Sequence, residues 1–504
     1  MDWQNDPMTR SVVPADLDFA PNANADEPIY LQLATALSEA IRAGRINVGA
    51  QLPSERLYAE HLRVSRTTIT AAYQELKAMG LLRGFVGCGA IVIADDPDRA
   101  AAGVIPWSQL ASRPERSAPV SGASMDRGLI SFGDGWPHPS LTPRTALFAC
   151  AARAAKDAGC LTTAAPILGL PVLREALSEI LRANGVKATA DEVLITGGAQ
   201  QGLNVVAQAL ISPGDAVVCE SPTWHGAFRA FRAAGAQVAG VAMDREGIDP
   251  DAMEDALVRL RPKFVYLIPS FQCPTGRLMG LERRRRVLGI CARFRTPILE
   301  SHVYGDLAFG EKLPSLKRLD TAGIVIHQGS ASKSISAALR LGWLVAPPAA
   351  MGMLAAAKAR LDLSTPALVQ AVLARFLTDG AYARHQQQVR SELRTRRDAM
   401  IGALIAHCPN LRCATPQGGL YLWAQLPQPI QGHELEAAAA AEGVSVRGGE
   451  AFLPEAGTSS HIRLCFAAPA HGEISAGARR LGKALRNLLQ RHTEAAPPSA
   501  FASV

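Results

Sequence analysis

Residues 324–343, IVIHQGSASKSISAALRLGW, carry the pattern that decides the fold of most of this chain. The stretch opens with an apolar run typical of a buried β-strand, and a serine-rich turn follows. Lys333 stands in that turn between small hydroxyl residues, where its amine can be desolvated and can form a Schiff base with an aldehyde. Ser330, Ser332 and Arg340 are suited to binding a phosphate, because hydroxyls and a guanidinium donate hydrogen bonds. As isolated residues, such a lysine and arginine are more often surface charges.

Short apolar runs alternate with helical patterns on both sides of this stretch. VLITGG, AVVCES, FVYLIP and PILES precede IVIHQGS in that order, with helical segments between them. This alternation predicts an α/β domain built around a mainly parallel central sheet, over residues 129–490.

Two further segments of that domain suit the same site. TGGAQQGL follows a strand and opens a helix, so that Gly198, Ala199 and Gln200 can present backbone N–H groups to a phosphate. Trp224 comes just after the next strand, where its flat face can stack on an aromatic ring. Taken alone, a tight turn and a core tryptophan are the plainer interpretations.

The N-terminal part reads as a small helical unit. Leu33, Leu37 and Ile41 recur on one helical face, and Ser54 and Ser65 are suited to cap a second and a third helix. The segment LLRGFVGCGAIVIA then predicts a glycine-bearing hairpin. Two helices joined by a short turn are typical of major-groove binding, although a small helical domain with solvated charges gives a similar pattern.

The ordered run of residues 28–82 is more specific, and it strongly resembles the GntR-type winged helix. The resemblance implies contacts with a double-stranded DNA operator from the second and third helices and from the wing: Arg56, Ser65, Arg66, Thr67, Thr68 and Gly89. Residues 28–93, the predicted extent of this domain, hold seven basic and four acidic residues. This excess is modest, so specific binding is expected to need a dimer that joins two half-sites.

The order of motifs in the larger part resembles a fold-type-I aminotransferase over residues 129–470. The motifs are the glycine turn, PTW, CPTG, VYGDL, SASKS with LRLGW, GGLYLW and HIRLCF. With the winged helix in front, the whole chain resembles the MocR subgroup of GntR regulators. The resemblance implies pyridoxal 5′-phosphate (PLP) joined to Lys333, with Arg463 holding the α-carboxylate of a substrate or effector. The other cofactor-binding positions that it implies are Gly198, Ala199, Gln200, Trp224, Cys273, Ser301, Tyr304, Ser330, Ser332 and Arg340.

Two of these positions depart from the family pattern. Cys273 stands where the family usually has asparagine, and a thiol is a weak donor. Counting back from Tyr304, Ser301 stands where the family has the aspartate that keeps the pyridine nitrogen protonated; with a shorter spacing the position is His302. Neither side chain is a carboxylate, so the electron sink that transamination needs is weakened. We therefore expect covalent PLP binding without efficient transaminase turnover.

Three functions fit these features. The first is a DNA-binding regulator that senses PLP or the aldimine of PLP with a small amino compound. The second is a working aminotransferase with an attached DNA-binding domain, and the third is a regulator whose larger domain has lost PLP and serves only for dimerisation. A homodimer is expected from both resemblances.

Composition bounds these interpretations. The 504 residues suffice for two or three domains, and the net charge of +7 is a mild excess that is compatible with phosphate-bearing partners. Residues 94–128 mix Pro, Gly, Ser and charge and predict a linker. The nine scattered cysteines indicate reduced thiols in a cytoplasmic protein and no metal site, and no run is suited to span a membrane.

Overall fold

The computed structural model describes residues 19, 21–22, 27–85, 89–93, 128–157 and 159–494. The chain divides after residue 118 into two compact units. The tip of the predicted hairpin, residues 86–88, lies outside the described residues, as does the predicted linker except for Gly128. No helix in the described ranges is long and apolar enough to cross a membrane.

The smaller unit contains three helices and a hairpin, as predicted. They are α1 (Ile29–Arg42), α2 (Glu55–Leu62), α3 (Arg66–Ala78) and the antiparallel strands β1 (Leu82–Phe85) and β2 (Gly89–Val92). The Ser54 hydroxyl accepts a hydrogen bond from the backbone N–H of Leu57 at 3.4 Å, and Ser65 accepts one from Thr68 at 3.1 Å. Both predicted helix caps are therefore confirmed, and such a cap contributes about 1 kcal/mol.

This unit has a hydrophobic core of its own. Leu33 and Leu37 of α1 are fully buried against Ile69 and Leu76 of α3, so the predicted apolar face of α1 is confirmed. The turn between α2 and α3 passes through Arg63, which adopts a left-handed conformation at φ 53° and ends α2.

The larger unit combines helices with one large and two small sheets. Its α-helices are α4 (Arg144–Ala154), α5 (Gly159–Thr162), α6 (Pro171–Ala183), α7 (Ala199–Leu210), α8 (His225–Ala233), α9 (Pro250–Leu260), α10 (Leu281–Arg293), α11 (Leu316–Leu319), α12 (Pro348–Leu361), α13 (Ala367–Thr378), α14 (Ala381–His407), α15 (Gly432–Ala441) and α16 (Ile474–Glu494). Its strands are β3 (Ile130–Ser131), β4 (Val193–Thr196), β5 (Ala216–Ser221), β6 (Gln237–Asp244), β7 (Gly247–Ile248), β8 (Val265–Leu267), β9 (Ile298–Ser301), β10 (Val325–Ser330), β11 (Gly342–Val345), β12 (Arg412–Cys413), β13 (Tyr421–Gln425), β14 (Val444–Ser445), β15 (Arg447–Gly448) and β16 (His461–Cys465).

The large sheet has the strand order β4-β11-β10-β9-β8-β5-β6-β7. Neighbours from β10 through β9, β8 and β5 to β6 run parallel, whereas β11 is antiparallel to both β10 and β4. The prediction of a mainly parallel central sheet is confirmed. Strands β4, β8, β9 and β10 are buried along their whole length, which explains why they read as continuous apolar runs.

The smaller sheets complete the unit. Strands β12, β13, β16 and β15 form an antiparallel sheet, and β14 pairs in parallel with β3. The β3–β14 pair ties the first described segment of this unit, beginning at Gly128, to a part of the chain more than 300 residues later.

Candidate functional site

The candidate site lies where parallel strands of the large sheet end. Since β4 and β10 are each antiparallel to β11, they run in the same direction, and their carboxyl ends meet at one edge with those of β5, β8 and β9. Loops that follow these five strands carry Gly198, Trp224, Cys273, Tyr304 and Lys333. This edge is where open α/β sheets generally bind ligands.

Lys333 is held in a partly buried, polar setting. Its Nζ donates a hydrogen bond to the carbonyl oxygen of Gly135 at 2.8 Å and lies 3.9 Å from the centroid of the Trp136 ring. Burial, together with a smaller effect of the nearby guanidinium groups of Arg463 and Arg340, lowers the pKa of Lys333 to about 8. A lysine with this pKa presents a substantial fraction of neutral, nucleophilic amine near neutral pH.

Gly198 and Arg340 form one side of an anion-binding cradle. Gly198 precedes α7 with a φ of 103°, and a Cβ there would lie 3.0 Å from a terminal nitrogen of Arg340. Arg340 also donates to the carbonyl oxygen of Gly197 at 3.4 Å. The Ser332 hydroxyl is buried without a hydrogen-bond partner, and its backbone N–H donates to the Ser330 hydroxyl at 3.2 Å. A guanidinium, a helix N-terminus and an unpaired hydroxyl suit a phosphate.

Trp224 stands beside the first turn of α7. The Gln200 side chain donates to the carbonyl oxygen of Gly226 at 2.9 Å, which joins α7 to the start of α8. A Cβ on Gly226 would lie 2.4 Å from the Trp224 indole nitrogen, so this close approach requires glycine. Ala199 begins α7 beside Gln200, and these predicted residues therefore meet in one wall.

Arg463 lies in a cage of aromatic side chains. Its guanidinium carbon is 4.6 Å from the Tyr421 ring centroid and 5.0 Å from that of Phe452. One terminal nitrogen is 3.8 Å from the Cys273 sulfur, the other donates to the carbonyl oxygen of Gly133, and Nε has no partner. A buried cation with an open donor suits a carboxylate.

Tyr304 is buried next to this cage. Its hydroxyl shares a 3.2 Å hydrogen bond with that of Tyr421, which in turn donates to the carbonyl oxygen of Gly135 at 3.4 Å. Burial raises the pKa of the Cys273 thiol, so that it stays protonated at neutral pH. Lys333, Arg463 and the predicted residues at 273 and 304 are thus linked through Gly135 and Tyr421.

Ser301 and His302 have different surroundings. Ser301 ends β9 as a buried side chain that shares a hydrogen bond with the Tyr266 hydroxyl. The His302 side chain instead lies near Glu300 and His327, with its Nδ1 3.8 Å from a Glu300 oxygen. Glu300 and Ser301 are consecutive in a strand and therefore point to opposite faces of the sheet. The carboxylate of Glu300 is thus on the other face from Ser301.

Three residues of this site were missed by the sequence analysis: Gly135, Trp136 and Tyr421. A Cβ on Gly135 would lie 3.1 Å from the Tyr421 hydroxyl and 3.9 Å from the Lys333 amine, so a larger residue here would have to displace the Tyr421 hydroxyl by a few tenths of an ångström. The Trp136 ring lies within 5.7 Å of the Arg340 guanidinium carbon as well as close to Lys333. The glycine-flanked run FGDGWP was the available signal.

Four of the predicted DNA-contacting residues lie at the start of α3: Ser65, Arg66, Thr67 and Thr68. The Ser65 hydroxyl lies 2.7 Å from the hydroxyls of both Thr67 and Thr68. Arg66 is largely exposed and its Nε is 3.6 Å from Glu55. Arg56 is also exposed, 4.0 Å from Glu60. Such exposed pairs are weak, so phosphates can displace the carboxylates.

Gly89 opens β2 opposite Phe85, in the pair next to the tip of the hairpin. Strand β1 lies between α3 and Gly89 along the chain. The contacts of the wing with DNA remain a prediction.

Comparison with known proteins identifies both units. Residues 29–92 match the family of bacterial regulatory proteins of the gntR type, and residues 140–481 match aminotransferase class I and II. The HTH-type transcriptional regulator TauR of Rhodobacter capsulatus is 32% identical over 473 residues, which cover 90% of this chain and 96% of TauR.

Aminotransferases without a DNA-binding unit match the larger part alone. The 2-aminoadipate transaminase of Thermus thermophilus is 38% identical over 368 residues, covering 72% of this chain and 91% of that protein. A crystal structure of an alpha-aminoadipate aminotransferase from Thermus thermophilus, complexed with N-(5'-phosphopyridoxyl)-L-leucine, superposes with a TM-score of 0.70 at 34% identity. The superposed region covers 77% of this chain and 100% of the crystallised aminotransferase.

Proposed function

This chain belongs to the GntR-type transcriptional regulators of the MocR subgroup, which join a winged helix to an aminotransferase class I and II domain, and we propose that it controls its operator in response to PLP or to an adduct of PLP with an amino compound. The observation that carries the proposal is that one site combines a partly buried Lys333, whose amine has a lowered pKa, with an uncharged Ser301. Lys333 suits the capture of an aldehyde, whereas Ser301 does not suit rapid turnover.

The residues of the site fit PLP. When bound, PLP supplies an aldehyde carbon that reacts with amines and a ring that accepts electrons. The buried, partnerless Ser332 hydroxyl and the glycine at 198, where a Cβ would crowd Arg340, leave donors and space for its phosphate. Lys333 would hold the cofactor through its amine, and Trp224 would cover the ring.

Arg463 supports a carboxylate-bearing amino compound as effector. Its guanidinium is buried, and its Nε has no partner. A carboxylate held there would replace the Gly133 carbonyl oxygen as the acceptor for the other nitrogen. An effector that carries both an amine and a carboxylate would therefore span from the Lys333 side of the site to Arg463.

Residues 133–136 lie close to the predicted linker along the chain and also contact the candidate site. The carbonyl oxygens of Gly133 and Gly135 accept hydrogen bonds from Arg463 and Lys333, the two groups that the ligand would engage. Ligand binding would release these contacts and move the segment, which follows the predicted linker along the chain. A ligand shifts the equilibrium only between states that it binds unequally, and this exchange of partners provides such a difference.

The pKa of Lys333 leads to a pH prediction. We expect the rate at which PLP joins the protein to rise with pH through about 8 and to level off above it, because the neutral amine is the nucleophile and burial lowers its pKa to about 8. Stopped-flow absorbance at a series of pH values measures this rate. A rate that keeps rising tenfold per pH unit up to pH 10 would contradict the lowered pKa, since an ordinary lysine has a pKa of about 10.4.

Replacing Ser301 with aspartate tests the division between sensing and turnover. We expect Ser301→Asp to raise the transamination rate about tenfold or more, since a carboxylate beside the ring nitrogen keeps it protonated. The measurement is single-turnover conversion of the PLP-loaded protein with a panel of amino acids.

Ser301→Asn is the matched control, because asparagine has the size of aspartate without its charge. It should leave the rate at the low wild-type level. Efficient turnover by the wild-type protein would overturn the sensor proposal in favour of an aminotransferase. No gain in Ser301→Asp would show that the ring-nitrogen argument is wrong.

The organisation of the assembly is part of the same proposal. We infer a winged-helix domain over residues 28–93, a linker over 94–128 and an aminotransferase-like domain over 129–490. We also infer that the protein is cytoplasmic and forms a homodimer. The homodimer is inferred because the excess of three positive charges in the winged helix is small and two copies would double the contacts with DNA.

A further inference from the structure

We propose that Glu300, His302 and His327 form a zinc-binding site that is separate from the Lys333 site. Each of the three offers one ligand atom, and these atoms all lie within 4.8 Å of one another. Imidazole nitrogens and a carboxylate oxygen are ligands that zinc prefers. The proposal does not depend on PLP binding.

The register of the sheet brings two of the ligands together. His327 of β10 lies directly beside Glu300 of the parallel strand β9, so their side chains share one face. Nδ1 of His327 is 2.8 Å from one Glu300 oxygen, and Nδ1 of His302 is 3.8 Å from the other. Ligand atoms at about 2.0–2.1 Å from a tetrahedral zinc ion lie about 3.3 Å apart, so small side-chain rotations suffice to bind one.

His302 is the residue that an ordinary hydrogen-bond network leaves unexplained. Its Nδ1 is buried and has no hydrogen-bond partner, and 3.8 Å to Glu300 is too long for a hydrogen bond. Leaving such a group unsatisfied costs about 1–3 kcal/mol. A zinc ion at Nδ1 would satisfy this nitrogen.

Glu300 supplies a buried negative charge. Its side chain is fully buried, and one carboxylate oxygen lies 2.8 Å from Nδ1 of His327. The backbone N–H groups of Leu316 and Lys317 donate to its oxygens at 2.7 and 3.1 Å, which fixes the carboxylate in place.

The buried guanidinium of Arg284 makes no hydrogen bond to Glu300. Arg284 directs its donors to the carbonyl oxygens of Met279, Pro269 and Pro314 and to the Ser270 hydroxyl. Among the described residues, the hydrogen-bond partners of the Glu300 carboxylate are two backbone N–H groups and the His327 ring, and none is an arginine or lysine side chain. A divalent cation would be favoured at such a position.

A cavity provides room for the remaining coordination position. His302 and His327 line a cavity of about 190 Å³, together with Asp306 and Tyr382. Zinc with three protein ligands keeps a fourth position for water or a small ligand, and here that position would face the cavity. Ser330, which precedes the Lys333 turn, lies in the same wall. A metal would thus brace the ends of β9 and β10 from the face opposite Ser301.

The test is zinc binding by the full-length protein loaded with PLP, stripped of metal with a chelator and free of any affinity tag. Competition with a chromophoric chelator measures the zinc affinity, and cobalt(II) substitution reports tetrahedral nitrogen and oxygen ligands by its visible absorption. His302→Gln is the main variant, because His302 Nδ1 makes no hydrogen bond that its loss would break. His327→Gln is the second variant. His492→Gln is the control, since that histidine lies in α16 and pairs with Glu434.

We expect the wild type and His492→Gln to bind one zinc ion, and each variant of the cluster to bind it at least tenfold more weakly. Lys333→Ala without PLP should bind zinc as the wild type does. The proposal is overturned if the wild type binds no zinc, or if His302→Gln and His327→Gln both bind zinc with unchanged affinity. It is also overturned if zinc binding is lost when PLP is removed, because the cofactor itself would then be the chelator.

Discussion

Replacing Lys333 with alanine is expected to abolish both the absorbance band of protein-bound PLP near the visible edge and the response of operator affinity to PLP and amines. The Lys333 amine lies among Gly135, Trp136 and the cationic side chains of the site. Alanine has no side-chain amine, so it cannot supply the nucleophile. Operator binding in the absence of effector should persist, because the DNA-binding unit has its own hydrophobic core. Absorbance titration and fluorescence anisotropy with an operator selected from random duplexes measure the two effects.

Lys263→Ala is the matched control for this experiment. Lys263 also belongs to the larger unit, but it is half-exposed and pairs with Asp215 at 3.5 Å. It should leave both the band and the response intact. A band that persists in Lys333→Ala would place the covalent link elsewhere and would contradict the assignment of the site.

Replacing Arg66 with alanine is expected to weaken operator binding strongly at constant salt. Arg66 is exposed at the first position of α3, next to Ser65, which caps the helix. At this position a recognition helix meets a base edge or a phosphate. Loss of such a contact costs about 1–3 kcal/mol at each half-site, or roughly five- to a hundredfold in affinity. The PLP absorbance band should be unchanged.

Arg45→Ala is the control, because Arg45 is an exposed arginine of the same unit that lies outside α2 and α3. It removes the same charge and should reduce affinity much less. Equal losses in the two variants would indicate that net charge, and not the start of α3, carries the binding. The slope of affinity against salt concentration separates a phosphate contact from a base contact.

Local features of the fold were predictable because few residues decide them. Ser54 and Ser65 cap their helices through backbone groups three residues away, so the sequence pattern contains the whole interaction. The same holds for the buried strands, whose apolar runs reflect burial on both faces of a parallel sheet. The PLP-site prediction at Lys333 and Arg340 rests on one short turn with both residues in it.

Contacts between distant segments were not predictable in this way. Gly135 meets Lys333 and Tyr421 only because β3 pairs with β14 and β10 ends at the same edge as the other parallel strands. The pairing of Glu300 with His327 depends on strand register, and a shift by one residue would turn one side chain to the other face. Neither relation leaves a mark in the spacing of the residues along the chain.

The division of the chain into a small unit with its own core and a larger unit with a parallel sheet bears on how the protein is made. The helices and hairpin of the small unit contact near neighbours in sequence and emerge first from the ribosome. The large sheet inserts β11 between β4 and β10, and in a separate sheet β3 pairs with β14, so the larger unit can be completed only after most of the chain has been synthesised. During synthesis, the DNA-binding unit is therefore expected to be folded before the aminotransferase-like unit is complete, and truncated products would carry the first without the second.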